Sequence, residues 1–257
     1  MTARVRIAMF GGVGRVTLAR PEQRNAIDQQ TAQELTSALM EFEGDDAVRA
    51  VLLTADGDDF CGGVDLKALA GMLHASPETH ASDAADLGRV FLTMRGMTKP
   101  VVAAGQGKAL GGGCGLATAC DVVLAHEGAQ FGYPEVRIGF VPALVMNMLR
   151  RSVGEKHAFD LVASGRVIGA AEAERVGLVS RVIAATGFSS EVERYVLGLA
   201  AHPVTSMGST KRLFYRLDLL SFRDGIAEGV QTNVDARQTD DFRTGVGQFL
   251  KDKKSKA

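Results

Sequence analysis

Two glycine clusters are where this chain could do chemistry. KALGGGCG (residues 108–115) places Gly111, Gly112 and Gly113 after the apolar run PVVAAG and just ahead of a helix-like stretch. A helix N-terminus leaves its first N–H groups unpaired and carries about half a positive charge. Such a loop suits a phosphate or the negative charge developing on a carbonyl oxygen, and its glycines also let two backbones pack closely. FCGGVD (60–65) repeats the arrangement, with a strand end, Gly62 and Gly63, and a helix starting beyond Asp65. Paired loops of this kind point to two donors aimed at one acceptor.

Several common chemistries fail on spacing. The dinucleotide fingerprint GxGxxG starts well at Gly105 and Gly107 but meets Leu110 at its third glycine. The phosphate-loop pattern GxxxxGK has Val102 where its first glycine belongs, and GxSxG, HExxH and SxxK motifs are absent. Cys61, Cys114 and Cys120 form no CxxC pair and no metal-ligand ladder, and an odd count points to a reducing compartment. The 257 residues carry a formal net charge of −1 with no basic stripe, which argues against nucleic acid or a membrane as partner. The N-terminal apolar run is too short for a signal or membrane segment, so a cytoplasmic protein is expected. The basic end KDKKSKA reads as a frayed, solvated terminus.

The elements that must hold these loops read as alternating strands and helices. Residues 4–9 and 13–18 form a strand pair turned on glycine, followed by a helix capped by Asp28, with Leu35, Leu39 and Phe42 inward and Gly44 as its stop. Strands follow at 49–55, 100–105, 121–125, near 166–168 and at 178–183, with helices from Leu66 and over 83–95, 141–151 and 155–163. This alternation predicts an α/β core with largely parallel pairing over residues 1–190. Residues 191–257 read as a helical C-terminal region that closes the core or an oligomer interface.

The segments DDAVRAVLLTADGDDFCGGVDLKAL, KPVVAAGQGKALGGGCGLATACDVVLA, AQFGYPEVRIGFVP and ASGRVIGAAEAERVGLVSRVI resemble, in order and spacing, the enoyl-CoA hydratase/isomerase (crotonase) family. RPEQRNAID and FRTGVGQFLKDKK extend the resemblance over nearly the whole chain. It implies a spiral of ββα units with a C-terminal helical region, assembled as a homotrimer or a dimer of trimers. It also implies an acyl-CoA thioester substrate, with coenzyme A part of the substrate and neither a separate cofactor nor a metal. By motif position the oxyanion donors are the amides of Val64 and Gly112.

The family commonly uses two glutamates. One matches Glu135, which follows Tyr133 and Pro134 in GYPEV; the other position, two residues beyond the GGG, is Gly115. Two-glutamate hydration has both residues hold one water. A single carboxylate suits proton shuttling along the substrate, so double-bond isomerisation or a one-carboxylate hydration is expected. Decarboxylation, C–C bond cleavage, thioester hydrolysis and a non-catalytic CoA-binding homologue are the alternatives.

The resemblance also implies substrate contacts from Arg24 and Ala26, from Cys61, Gly62 and Gly63, from Asp65, Leu66 and Lys67, and from Gly111, Gly115, Tyr133 and Pro134. On the residues alone, several have structural readings. Asp65 suits a helix cap, Asp121 a hydrogen-bonded structural aspartate, Cys61 and Cys114 small buried hydrophobes, and Tyr133 core packing. Leu144, Met146 and Met148 either shape an acyl pocket or pack in the core.

Overall fold

The computed structural model describes residues 3–255; Lys256 and Ala257 of the basic end lie outside these, as do Met1 and Thr2. Strands β1 (Val5–Phe10) and β2 (Val13–Leu18) form an antiparallel hairpin. Helix α1 (Gln29–Gly44) begins where the Asp28 carboxylate accepts from the Thr31 amide at 2.9 Å, and it buries Leu35, Leu39 and Phe42. Then follow β3 (Ala50–Ala55), α2 (Leu66–Gly71), α3 (Pro77–Gly96), β4 (Val101–Gly105), β5 (Lys108–Leu110), α4 (Gly112–Ala119), β6 (Val122–His126) and β7 (Gln130–Gly132). After a 3₁₀ turn at Pro134–Ile138 come α5 (Ala143–Val153), α6 (Glu155–Ser164), β8 (Val167–Gly169), α7 (Ala170–Arg175) and β9 (Arg181–Ile183). Helices α8 (Phe188–Ala200), α9 (Val204–Arg216), α10 (Phe222–Arg237) and α11 (Asp240–Ser255) complete the chain.

Six strands make one sheet in the order β1-β2-β3-β4-β6-β9, parallel except for the first hairpin. A second sheet, β5-β7-β8, pairs β5 with β7 in parallel and β7 with β8 antiparallel. Successive strand residues point to opposite faces. Val51, Leu53, Val101 and Ala103 therefore join the larger core, while Ala50, Leu52, Val102 and Ala104 face a second one. Val192, Val196 and Ala200 of α8 cover that second face, so the first helix of the C-terminal region is part of the sheet's packing.

Helix α9 is fastened to the core by a buried ion pair. Lys211 Nζ donates to Asp121 Oδ2 at 2.7 Å and to the carbonyls of Met94 and Lys99, and Tyr215 donates to Asp121 Oδ1 at 2.7 Å. Asp121 also accepts the Val101 amide at 2.6 Å, as befits a structural aspartate.

The elements depart from expectation in three places. Helix α3, read over 83–95, begins at Pro77, capped by Ser76; its exposed first turns carry no apolar period that would show in sequence. Strands β5 and β7 are three residues each, too short to show alternation in sequence. Helix α10 buries nothing in this chain: Phe222, Ile226, Val230 and Val234 form an exposed stripe at four-residue spacing. Among the described residues no helix is long and apolar enough to cross a membrane. Residues 251–255, read as a frayed end, continue α11.

Candidate active site

The two glycine loops are stitched together by backbone. Cys61 donates to Lys108 O at 3.0 Å and Leu110 donates back to Cys61 O at 2.9 Å, a parallel bridge that carries the loop after β3 onto β5. Gly113 faces Cys61, and a Cβ there would overlap the Cys61 carbonyl and stand 2.6 Å from its sulfur. The RNAI loop lies on the other side: Ile27 donates to Gly63 O and Asp65 to Ile27 O, both at 2.8 Å, and Gly62 donates to Arg24 O at 2.7 Å. Arg24 and Asn25 hold left-handed backbone, φ 51° and 55°. Buried Asn25 stabilises it by accepting from the Arg20 amide and donating to the carbonyls of Asp56 and Asp59.

This stitching sets the amides of Val64 and Gly112 side by side. The Cβ position of Gly112 lies 3.4 Å from Val64 Cγ2 and 3.8 Å from the Val64 nitrogen, and that of Gly63 lies 3.7 Å from the Gly112 nitrogen. Neither amide donates a hydrogen bond within the described residues. The geometry needs glycine at two points. Gly63 has φ 102°, with its Cβ position 2.9 Å from Leu110 O, and Gly111 has φ 52°.

The carboxylate arrives through β7. The Gly111 amide donates to Gly132 O at 2.8 Å, and β5 pairs Leu110 with Gly132. Three residues after Gly132, the 3₁₀ turn sets Glu135 against Gly111, whose Cβ position is 3.0 Å from Glu135 Oε1. No protein donor reaches the buried Oε2. Burial raises the carboxyl above its ordinary range, against a smaller opposing effect of its own amide. Such a group holds and releases a proton more readily near neutral pH than an exposed glutamate. Val64, Gly112 and Glu135, distant in sequence, are thus brought together, with Gly111 between the carboxylate and the amides.

The remaining expected residues divide. Tyr133 is fully buried, its hydroxyl 2.7 Å from Thr118 Oγ1, which in turn donates to Cys114 O; it braces the Glu135 turn against α4. Pro134 opens that turn. Cys61 and Cys114 are buried, with thiols pushed up to about 12 by burial, which removes thiolate chemistry at neutral pH. Asp65 caps α2, accepting from Lys67 at 3.0 Å and Ala68 at 3.3 Å, and pairs with Arg20 at 3.1 Å. Burial pushes its carboxyl up, but those amides and Arg20 hold it below its ordinary value. Leu66 and Lys67 are exposed on the first turn of α2. Ala26 is half-buried in the RNAI loop, and the Arg24 side chain is exposed, 3.8 Å from Asp59.

Gly115 has neighbours that sequence reasoning missed. Val145 of α5 and Phe91 of α3 pack onto it, and Leu87 lies 3.5 Å from the Cβ position of Gly112. Apolar periodicity marks these three as core residues without saying what they face. The residues singled out around Val145 sit elsewhere: Leu144 is exposed beside a cavity of about 550 Å³ that Phe91 and Met148 also line, and Met146 lines a different one with Arg150 and Phe159.

The fold recurs in known proteins. An enoyl-CoA hydratase structure from Mycobacterium smegmatis superposes with a TM-score of 0.92 at 30% identity, covering 97% of this chain and 96% of that one. A Legionella pneumophila structure described as an enoyl-CoA hydratase/isomerase (crotonase) gives 0.91 at 26% identity, covering 98% of each chain. The fold is the crotonase fold. In sequence, a Thermus thermophilus protein that carries the name enoyl-CoA hydratase is 39% identical over 240 residues, 93% of this chain and 95% of that one. The 2,3-dehydroadipyl-CoA hydratase of Escherichia coli is 32% identical over 241 residues, 91% of each. A family profile described as enoyl-CoA hydratase/isomerase matches residues 9–256. The chain belongs to that enzyme family.

Proposed function

We propose that this protein isomerises the double bond of an enoyl-CoA thioester, with Glu135 as its one acid/base. The observation that carries the reading is the lone carboxylate: Glu135 sits against Gly111 with a buried Oε2 that no protein donor reaches, and position 115 supplies no second acid. Glu135 removes a proton from C2 of a 3-enoyl-CoA. The electron pair moves into the thioester, giving a dienolate whose oxygen accepts from the Val64 and Gly112 amides. Glu135 then returns the proton to C4, which leaves the bond between C2 and C3. One donor of this kind is worth about 3 kcal/mol where it has been removed from another enzyme. No further cofactor or metal enters the scheme. Lys67 and Arg24, exposed at the mouth of the loops, are suited to the phosphates of CoA.

A second reading, hydration of a 2-enoyl-CoA by a water that Glu135 alone activates, is favoured by the names of the relatives, which are hydratases. Purified protein incubated with 3-hexenoyl-CoA and with crotonyl-CoA separates the two. Turnover of the first well above the second supports isomerisation, the reverse order supports hydration, and turnover of neither rejects both. The exposed apolar stripe of α10 supports assembly into trimers or pairs of trimers, which sedimentation would read.

A further inference from the structure

Position 115 is closed, not merely lacking a carboxylate. Gly115 lies in the first turn of α4, where its amide donates to Gly111 O at 2.9 Å. A Cβ built there would overlap Val145 Cγ1 and stand 3.1 Å from Phe91 Cζ and 3.4 Å from Val145 Cβ. Both neighbours are locked in the core, Val145 at 3% exposure and Phe91 at 6%. A helical valine has essentially one χ1 rotamer, so its methyl cannot swing aside cheaply. With Leu87 beside Gly112, these side chains form a hydrocarbon wall along the start of α4.

Resting on the one-carboxylate reading above, we propose that Val145, backed by Phe91, is a specificity-determining residue. It fills the volume through which an acidic side chain at 115 would reach the substrate, and so holds the site to chemistry that Glu135 does alone. A water on that side of the substrate has no side-chain acceptor in Val145, Phe91 or Leu87, and an unpaired water among apolar groups is costly. The proton that Glu135 removes therefore returns to the carbon skeleton.

The test is a pair of crossed substitutions. Gly115→Ala lowers Tm by roughly 2–10 °C in the wild-type background, as overpacking of a tight core does. In a Val145→Ala background, where the overlapping methyl is gone, the same change lowers Tm by less than half as much. Equal losses in the two backgrounds overturn the wall, whatever reaction the enzyme performs. Gly115→Glu combined with Val145→Ala hydrates crotonyl-CoA at least tenfold faster than Gly115→Glu alone; equal rates overturn the specificity role. A wild-type protein that isomerises no 3-enoyl-CoA would overturn the function proposed above while leaving the Tm coupling in place, so the two failures are distinguishable.

Discussion

Replacing Glu135 by glutamine separates its chemistry from its packing, because the two effects have opposite signs. The substitution keeps shape and removes the proton acceptor. A positioned acid/base contributes about 10²–10⁴ in rate, or roughly 3–5 kcal/mol of barrier, so kcat on a 3-enoyl-CoA falls by that factor. The stability effect runs the other way. Glu135 Oε2 is buried without a protein partner, and its carboxyl is raised by desolvation. A folded-state pKa above the unfolded one means that ionisation opposes folding: the penalty is fully present above the folded pKa and gone below the unfolded one. An unsatisfied buried group costs about 1–3 kcal/mol, more when charged. A neutral amide retains part of that cost, so the variant gains on the order of 1 kcal/mol at pH 7, or about 2–4 °C in a chain of this size. Differential scanning fluorimetry at pH 7 and pH 4, with the isomerase assay alongside, reads both effects. The reasoning is refuted if Glu135→Gln keeps more than a tenth of the activity, or if its Tm falls at pH 7. Either result would make Glu135 a structural residue.

The pH dependence of kcat/KM should show an acidic limb above the ordinary glutamate range, since Glu135 must be ionised to act and burial raises its pKa; that limb vanishes in Glu135→Gln. Gly111→Ala puts a methyl 3.0 Å from Glu135 Oε1 on backbone that only glycine adopts comfortably, so kcat falls by tenfold or more while far-UV circular dichroism stays that of the parent. Lys211→Met leaves the half-buried Asp121 with only the Tyr215 hydroxyl and the Val101 amide as donors, which costs about 3 kcal/mol and lowers Tm by on the order of 10 °C. Adding Asp121→Asn should recover part of that loss, as thermal melts of the single and double variants would show.

What the sequence made legible and what it hid differ in physical range. The Asp28 cap, the inward Leu35, Leu39 and Phe42 and the buried strand read over 49–55 all follow from local periodicity and capping, and all are present, the strand as Ala50–Ala55. The paired glycine loops were visible as two strand ends followed by helices. Their meeting was not, because the Cys61–Ala109 bridge and the Gly111–Gly132 bond join segments 48 and 21 residues apart through three-residue strands that leave no pattern. Tyr133 is the instructive case. Its place next to Glu135 left both a substrate contact and core packing open, and the short β7 turns it inward to Thr118, the core-packing reading.

Glycine at 115 shows the same limit most sharply. An absent side chain reads in sequence as a missing function, a carboxylate that a single substitution could restore. In the structure the absence is the condition for α5 and α3 to approach α4: Val145 and Phe91 take the space, and their burial contributes to the core that holds the Gly112 amide in place. Residues 115 and 145 therefore change together, with Phe91 behind them: a side chain at 115 needs the space that the Val145 methyl takes. On the reading proposed here, the hydrocarbon packed onto Gly115 limits the reaction as much as Glu135 enables it.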